Sequence, residues 1–335
     1  MSARGRRVRA LAALAGLCAL AGGAPVGAST GLDGPVALAA TPSVVWVASA
    51  GNSSLDAFSV ARVAALTAIA ARPANALAHP VALALVGGRL WVAERASGVL
   101  SEFDGARGRL LRTVRLTRWG VRGPTALGAA GRLLWVADAS GTLVALDVAD
   151  GRVVHVVRAT RANGLAAPRA LLVVRGDLWV LDEGSSSITV LDARTGRLVR
   201  VVRGTAARLS APVDLAASGA RVYVTDAGSS SLSVLDARTG RLVRVVAGPA
   251  DRLDSPWGVT TSRGRVYVTD ASGDALTVLD ARTGRLVRVL RGPAYHLDDP
   301  VAVCVAGPWV WVLNGAGNSL SVIGSRRLRL ERLLG

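Results

Sequence analysis

Residues 266–292 read VYVTDASGDALTVLDARTGRLVRVLRG, and residues 222–248, 44 positions earlier, read VYVTDAGSSSLSVLDARTGRLVRVVAG. This repetition decides the fold. Prolines recur at Pro80, Pro124, Pro168, Pro212, Pro256 and Pro300, each 44 residues after the last, and Pro35 precedes the series by 45. An aromatic keeps step at Trp46, Trp91, Trp135, Trp179, Tyr223, Tyr267 and Trp311. Asp147, Asp192, Asp236 and Asp280 mark a third slot. A fixed period of this size is the signature of a repeat architecture, here of seven units.

Each unit divides into four short runs. In the sixth they are WGVTTS, RVYVTD, ALTVLD and RLVRVL. The runs are rich in Val, Leu, Thr and Tyr and are separated by Gly, Pro, Asp and Ser, which is the pattern of strands and turns. Helical repeats need a 3.6-residue periodicity over ten or more positions. Only ARVAALTAIAAR, residues 61–72, has that look. The expected fold is all-β: a seven-bladed β-propeller with four antiparallel strands per repeat of about 44 residues. Each blade should come from one unit, with SRRLRLERLLG at residues 325–335 supplying the last strand.

The turns carry their own chemistry. In LDARTGRL the Asp can accept hydrogen bonds from the turn amides, and the Gly can adopt a positive φ. Asp192, Asp236 and Asp280 are therefore turn-builders. The segment VYVTD…SLSVLDARTGRLVRVVAG resembles the Tyr-Val-Thr-Asn propeller repeat, with Asp226 and Asp270 in the Asn slot, and the Pro-x-x-Val opening, with Leu in place of Val in the first five units, is similar to the NHL repeat. The resemblance covers all seven units and is strongest in units four to six. It implies a surface or secreted binding or scaffold protein. Metal-dependent lactonase and lyase relatives of propellers use acidic residues near the axis, which supplies the rival reading.

The ends and the composition add limits. Residues 1–28 open with Arg4, Arg6, Arg7 and Arg9, continue with a short apolar run, and reach small residues at Val26-Gly27-Ala28, the layout of a secretory signal peptide. The run is too short to span a bilayer. The domain proper is then 29–335, placed outside the cell or in the cell envelope (extracellular or periplasmic). The formal charge is +17, all of its 40 basic residues are arginine, and +13 remains without the four leader arginines. That favours anionic partners. Cys304 lies in the apolar run VAVCVAG and is expected to be a buried, inert thiol.

Propeller connectivity sorts the loops. Turns between first and second strands and between third and fourth strands share one face; turns between second and third strands share the other with the inter-blade crossings. On the first face arginines exceed acids by about ten, with Arg194, Arg197, Arg238, Arg241, Arg282 and Arg285 in equivalent turns. This is a candidate basic face. The fourth-strand arginines, including Arg200, Arg203, Arg244, Arg288 and Arg291, should guard an exposed sheet edge. No aromatics interleave with them, so nucleic acid is not the expected partner.

On the other face Glu94, Asp138, Asp182, Asp226, Asp270 and Asn314 close the second strands. They could approach the central funnel and hold a Ca²⁺, the one candidate ion; otherwise no cofactor is expected. The three histidines occupy unrelated slots, and no nucleophile–base order or phosphate loop stands out. Trp119, Trp257, Tyr295, His296, Asp298 and Asp299 break the symmetry of the crossings and are the candidate ligand-binding residues. The reading is a monomeric, non-catalytic scaffold that recognises a protein or an anionic cell-envelope polymer through its loop faces. The alternative is a metal-dependent lyase or lactonase.

Overall fold

The computed structural model describes residues 31–72, 77–247 and 253–335; the leader expected over residues 1–28 lies outside them. The described chain forms 28 strands in seven antiparallel sheets of four, with only three one-turn helices in its crossings. It is the seven-bladed β-propeller that the repeat implies. The blades occupy residues 35–69, 80–115, 124–157, 168–202, 212–246, 256–291 and 300–334. Within each, the strands pair in chain order. In blade 6 they are Pro256–Ser262, Arg265–Asp270, Ala275–Asp280 and Leu286–Arg291.

The helical look of residues 61–72 misleads. Ala64–Ile69 is the fourth strand of blade 1 and pairs antiparallel with Ser54–Ser59. A short Ala-rich run cannot sustain an isolated helix, whereas as a strand it completes the ladder and packs Leu66 and Ile69 on the core.

The core lies between blades. Seven apolar clusters each join one blade to the next, and the last joins blade 7 to blade 1. The once-per-repeat aromatics sit at their centres, fully buried. The first strands contact one another around the whole ring, including that of blade 7 against that of blade 1. Each first strand begins at a repeat proline and breaks register within the next few residues, so the residue after the proline has no ladder partner. A bulge of this kind re-aims its side chain away from the regular pleat.

Side chains stitch every interface to a carbonyl at the third-to-fourth turn of the following blade. Trp46 donates from Nε1 to Gly105 O at 2.9 Å, Trp135 to Ala193 O at 2.8 Å, and Tyr223 Oη to Ala281 O at 2.5 Å. Arg112 reaches Val148 O at 2.6 Å and Arg265 reaches Ser325 O at 2.7 Å. Arg200 reaches Arg238 O at 2.7 Å and Arg244 reaches Arg282 O at 3.2 Å. These last two contacts add a tie to the edge-guard expectation: a long side chain at mid-strand lies over the neighbouring turn and finds an acceptor there, while Arg203, Arg288 and Arg291 stay exposed. Arg288 instead reaches Tyr295 Oη at 3.4 Å. Cys304 is buried in the first strand of blade 7 and forms no disulfide.

Candidate functional site

Backbone hydrogen bonds fix the two faces. In every blade the residue after the third strand donates its N–H to the first-to-second turn, from Val60 to Ser43 O in blade 1 through Ser325 to Pro308 O in blade 7. In every blade the residue after the second strand donates to the crossing, from Ala50 to Gly34 O through Gly315 to Asp299 O. The two sets of loops therefore sit at opposite ends of the barrel of blades.

A cavity of about 950 Å³ opens on the crossing face. Its walls come from blades 1, 2, 5, 6 and 7, and only the axis is common to all of these. Val36, Trp257 and Val301, each the bulged residue after a repeat proline, line it together with Asp33, His79, Arg95, Asp254 and Asp299. The cavity is the central funnel.

The six candidate metal ligands do not come together there. Each closes its own second strand, buried, and holds the preceding crossing. Glu94 accepts the Ala78 N–H at 2.7 Å. Asp138 accepts those of Arg122 and Gly123, Asp182 those of Ala166 and Ala167, and Asp226 those of Ser210 and Ala211. Asp270 accepts the Asp254 N–H and the Thr277 hydroxyl. Asn314 accepts the Asp298 N–H and donates to His296 O. Among the described residues no three His, Cys, Asp or Glu side chains converge. A carboxylate repeated once per blade satisfies local amides because its slot ends a strand exactly where two loops need acceptors, on the flank of the blade rather than its axial edge.

These shared positions are electrostatically unequal. Burial pushes Glu94 up to about 7, partly offset by the Ala78 N–H. Burial also pushes Asp270 up to about 7, against the Thr277 hydroxyl and the Asp254 N–H. In Asp138 burial raises the pKa, but bonds from the Ser140 hydroxyl and from the Ser140, Gly123 and Arg122 amides outweigh it, and the carboxyl falls below its ordinary value.

On the opposite face Arg194, Arg197, Arg238, Arg241, Arg282 and Arg285 are all exposed. Their acidic neighbours are committed to the turns. Asp192 accepts from Thr195 Oγ1 and N, Asp236 from Thr239 Oγ1 and N, and Asp280 from Thr283 Oγ1 and N. Gly196, Gly240 and Gly284 take φ of 72°, 74° and 68°, as the turn demands.

Of the six symmetry-breaking candidates, Trp257 and Asp299 line the cavity. Asp298 and His296 are exposed in the adjoining crossing. Tyr295 seals a blade junction, its hydroxyl bonded to Leu328 O at 3.2 Å. Trp119 packs on the blade 2–3 core beneath the Arg118 guanidinium, 3.7 Å from its ring centroid. Sequence reasoning missed Asp33, His79 and Arg95 as funnel residues. The signal for two of them lay in their slots, before the repeat proline for His79 and after the second strand for Arg95, where most other blades carry glycine, alanine or serine.

Comparison with known proteins agrees on the architecture. A subunit of "Kuenenia stuttgartiensis Hydrazine Synthase" superposes with a TM-score of 0.71 at 17% identity, covering 90% of this chain and 98% of that one. The computationally designed Ika8 protein gives 0.64 at 17% identity, covering 87% and 96%. BamB from Moraxella catarrhalis gives 0.55 at 19% identity, covering 84% and 79%. No curated protein matches the chain. Among the described residues no helix is long and apolar enough to cross a membrane. The likeness to Tyr-Val-Thr-Asn and NHL repeats holds at the level of the propeller, whereas the sequence family that matches is of another repeat type. Its model, of PQQ-like repeats, spans residues 33–208, more than half of the chain, and so this propeller belongs to the family described as "Outer membrane protein assembly factor BamB".

Proposed function

We propose that the chain is a non-catalytic binding scaffold of the cell envelope, acting as a monomer and engaging a protein partner through its loops. The observation that carries this reading is the use of the repeated carboxylates: those at the second-strand ends hold the crossings, and those at the third-strand ends hold the turns. The acids common to the blades thus build a rigid frame, and variation is left to the loop ends. The family description, an assembly factor for outer membrane proteins, supports a protein as the partner and the envelope as the place. The leader expected over residues 1–28 would deliver the chain there.

The test is photo-crosslinking in living cells, with benzoylphenylalanine replacing Ser272 at the funnel or Arg238 on the basic face. Discrete adducts with envelope polypeptides are expected from at least one position. Absence of any polypeptide adduct at both, or calcium-dependent turnover of a lactone or uronide substrate by the purified chain, would overturn the reading.

A second reading rests on the basic face. Its six equivalent arginines are exposed and outnumber the three turn carboxylates beside them, so the face presents a net positive charge to an anionic envelope polymer or headgroup.

A further inference from the structure

The crossings that leave blades 2, 3 and 4 are residues 116–123, 158–167 and 203–211. Each carries two arginines: Arg118 and Arg122, Arg158 and Arg161, Arg203 and Arg208. None of the three carries an acid. All six arginines are exposed. The ion pairs among the described residues involve none of them. Crossings share one face of the wheel, so the six form an arc over three consecutive blade junctions.

The arc stands on fixed backbone. Asp138, Asp182 and Asp226 pin the three crossings through their amides. In the first, the turn Thr117–Trp119 ends at Gly120 with a φ of 95°. In the second, Asn163 Oδ1 accepts the Thr160 N–H at 2.8 Å and Nδ2 donates to Arg158 O at 2.8 Å. The third is one helical turn, Gly204–Ala207, closed by the Leu209 N–H on Gly204 O at 2.8 Å. Cations held at fixed stations lose less freedom when a ligand arrives.

Trp119 organises one end of the arc. The Arg118 guanidinium carbon lies 3.7 Å from its ring centroid. Stacking uses the face of the guanidinium and leaves its N–H edges to fork onto a carboxylate. Arg158 approaches the same turn from the next crossing: its Nη1 lies 3.3 Å from where a Cβ on Gly120 would stand. Arg118 and Arg158 thus flank one turn.

Charge selects the occupant. The six exposed cations exceed the three buried carboxylates beneath them, and Glu183, in the nearby turn of blade 4, is matched by Arg169 at 2.7 Å. The same face has the opposite sign over blades 6, 7 and 1. There, among the described residues, Asp33, Asp254, Asp274, Asp298 and Asp299 outnumber Arg72 and Arg291. A membrane or a long polyanion laid across this face meets both halves and is repelled by one of them. A short acidic segment lies on the positive half alone. The split also gives an approaching protein one preferred orientation.

We propose that this arc docks an acidic segment of a partner protein, its carboxylates received by the paired arginines of the three crossings. The inference rests on the scaffold reading above and names the partner's chemistry and its place on the wheel.

The experiment titrates the full chain at low salt with three labelled twelve-residue Gly/Ser peptides, carrying four glutamates, four lysines or neither, read by fluorescence anisotropy. Binding of the glutamate peptide alone is expected. Joint Arg118→Gln, Arg158→Gln and Arg203→Gln substitution should weaken it at least fivefold. Joint Arg194→Gln, Arg238→Gln and Arg282→Gln substitution removes the same charge from the opposite face and should change it less than twofold. The arc variant should adsorb to vesicles with one-third anionic lipid as the parent does. Should it fail to fold, Arg122→Glu with Arg161→Glu keeps the Trp119 stack and provides the same readout. Equal loss from the two triple variants would mark a response to net charge alone and overturn the proposal. So would equal binding of glutamate and lysine peptides, no binding at millimolar peptide, or an arc variant that loses vesicle adsorption but keeps the peptide, the mark of a membrane contact. In each of those cases crosslinks to envelope polypeptides from Ser272 or Arg238 would leave the scaffold reading standing.

Discussion

Arg332, in the outermost strand of the last blade, donates from Nη1 to the carbonyl of Val63 in the first blade at 2.9 Å, across 269 residues of chain. Trp309 adds a bond from Nε1 to Val60 O at 3.0 Å. With the apolar cluster of blades 7 and 1, these contacts close the ring. Deleting residues 326–335 removes the seventh blade's last strand and the Arg332 tie together. The shortened chain is expected to unfold several degrees below the full one in a thermal scan, and an unchanged midpoint would refute the assignment. Arg332→Ala alone should cost about 1 kcal/mol, the scale of one hydrogen bond.

The buried indoles separate packing from hydrogen bonding. Trp135 gives its N–H to Ala193 O, while the Trp91 indole N–H is buried with no acceptor. Trp135→Ala should cost about 3–5 kcal/mol. Trp135→Phe is expected to cost about 1–3 kcal/mol more than Trp91→Phe, because only the former strands a carbonyl. Urea denaturation of the two Phe variants makes the comparison.

Glu94 tests the electrostatics of the crossing caps. Its carboxyl is pushed up to about 7 in the fold against an ordinary 4.5. The folded state therefore holds this proton more tightly than the unfolded chain. The stability it brings is full below about pH 4.5 and is lost as pH rises through about 7. Glu94→Gln keeps an oxygen for the Ala78 N–H and carries no charge. Its melting temperature should match the parent near pH 4.5 and exceed it at pH 8. Parallel pH profiles for the two proteins would show that Glu94 does not titrate in this window.

Gly258 marks a close approach of blades 6 and 7. A Cβ there would meet Ala302 Cα at 2.9 Å and Val301 O at 3.1 Å. Most other blades carry alanine at this slot. Gly258→Ala should nevertheless destabilise by about 1–3 kcal/mol through overpacking, measurable by denaturant titration.

For the basic face, adsorption to vesicles with one-third anionic lipid should fall steeply between 50 and 500 mM salt. The combined Arg194→Gln, Arg238→Gln and Arg282→Gln variant should bind less at low salt and respond less to salt. Adsorption indifferent to both would dismiss the second reading.

The architecture was legible because the 44-residue period repeats strand and turn signals together, and hairpin connectivity then assigns each loop to a face. The Asp-Ala-Arg-Thr-Gly turns were readable one residue at a time, since Asp236 and Gly240 act within their own turn. The funnel was not. Asp33 and Asp299 are far apart in sequence and meet only because the ring closes, and Arg169 reaches Trp257 only because a bulge turns both toward the axis. The second-strand carboxylates pointed the other way: their regular spacing suggested a converging ring, but each is held on its own blade by amides one or two residues ahead of the repeat proline. The ties of Arg200 and Arg244 to the next blade were not readable, because the pattern of one strand says nothing about the turn beside it.

Among the described residues no backbone ladder joins the first blade to the last, as every sheet is complete within its own repeat. The described parts of the first and last blades are thus fastened through side chains, and any of the seven junctions could serve as the opening of a circularly permuted gene. The junction of blades 7 and 1 borders the cavity, whose walls include Val36 and Val301, so an opening placed there would breach the funnel, whereas one between blades 3 and 4 would spare it.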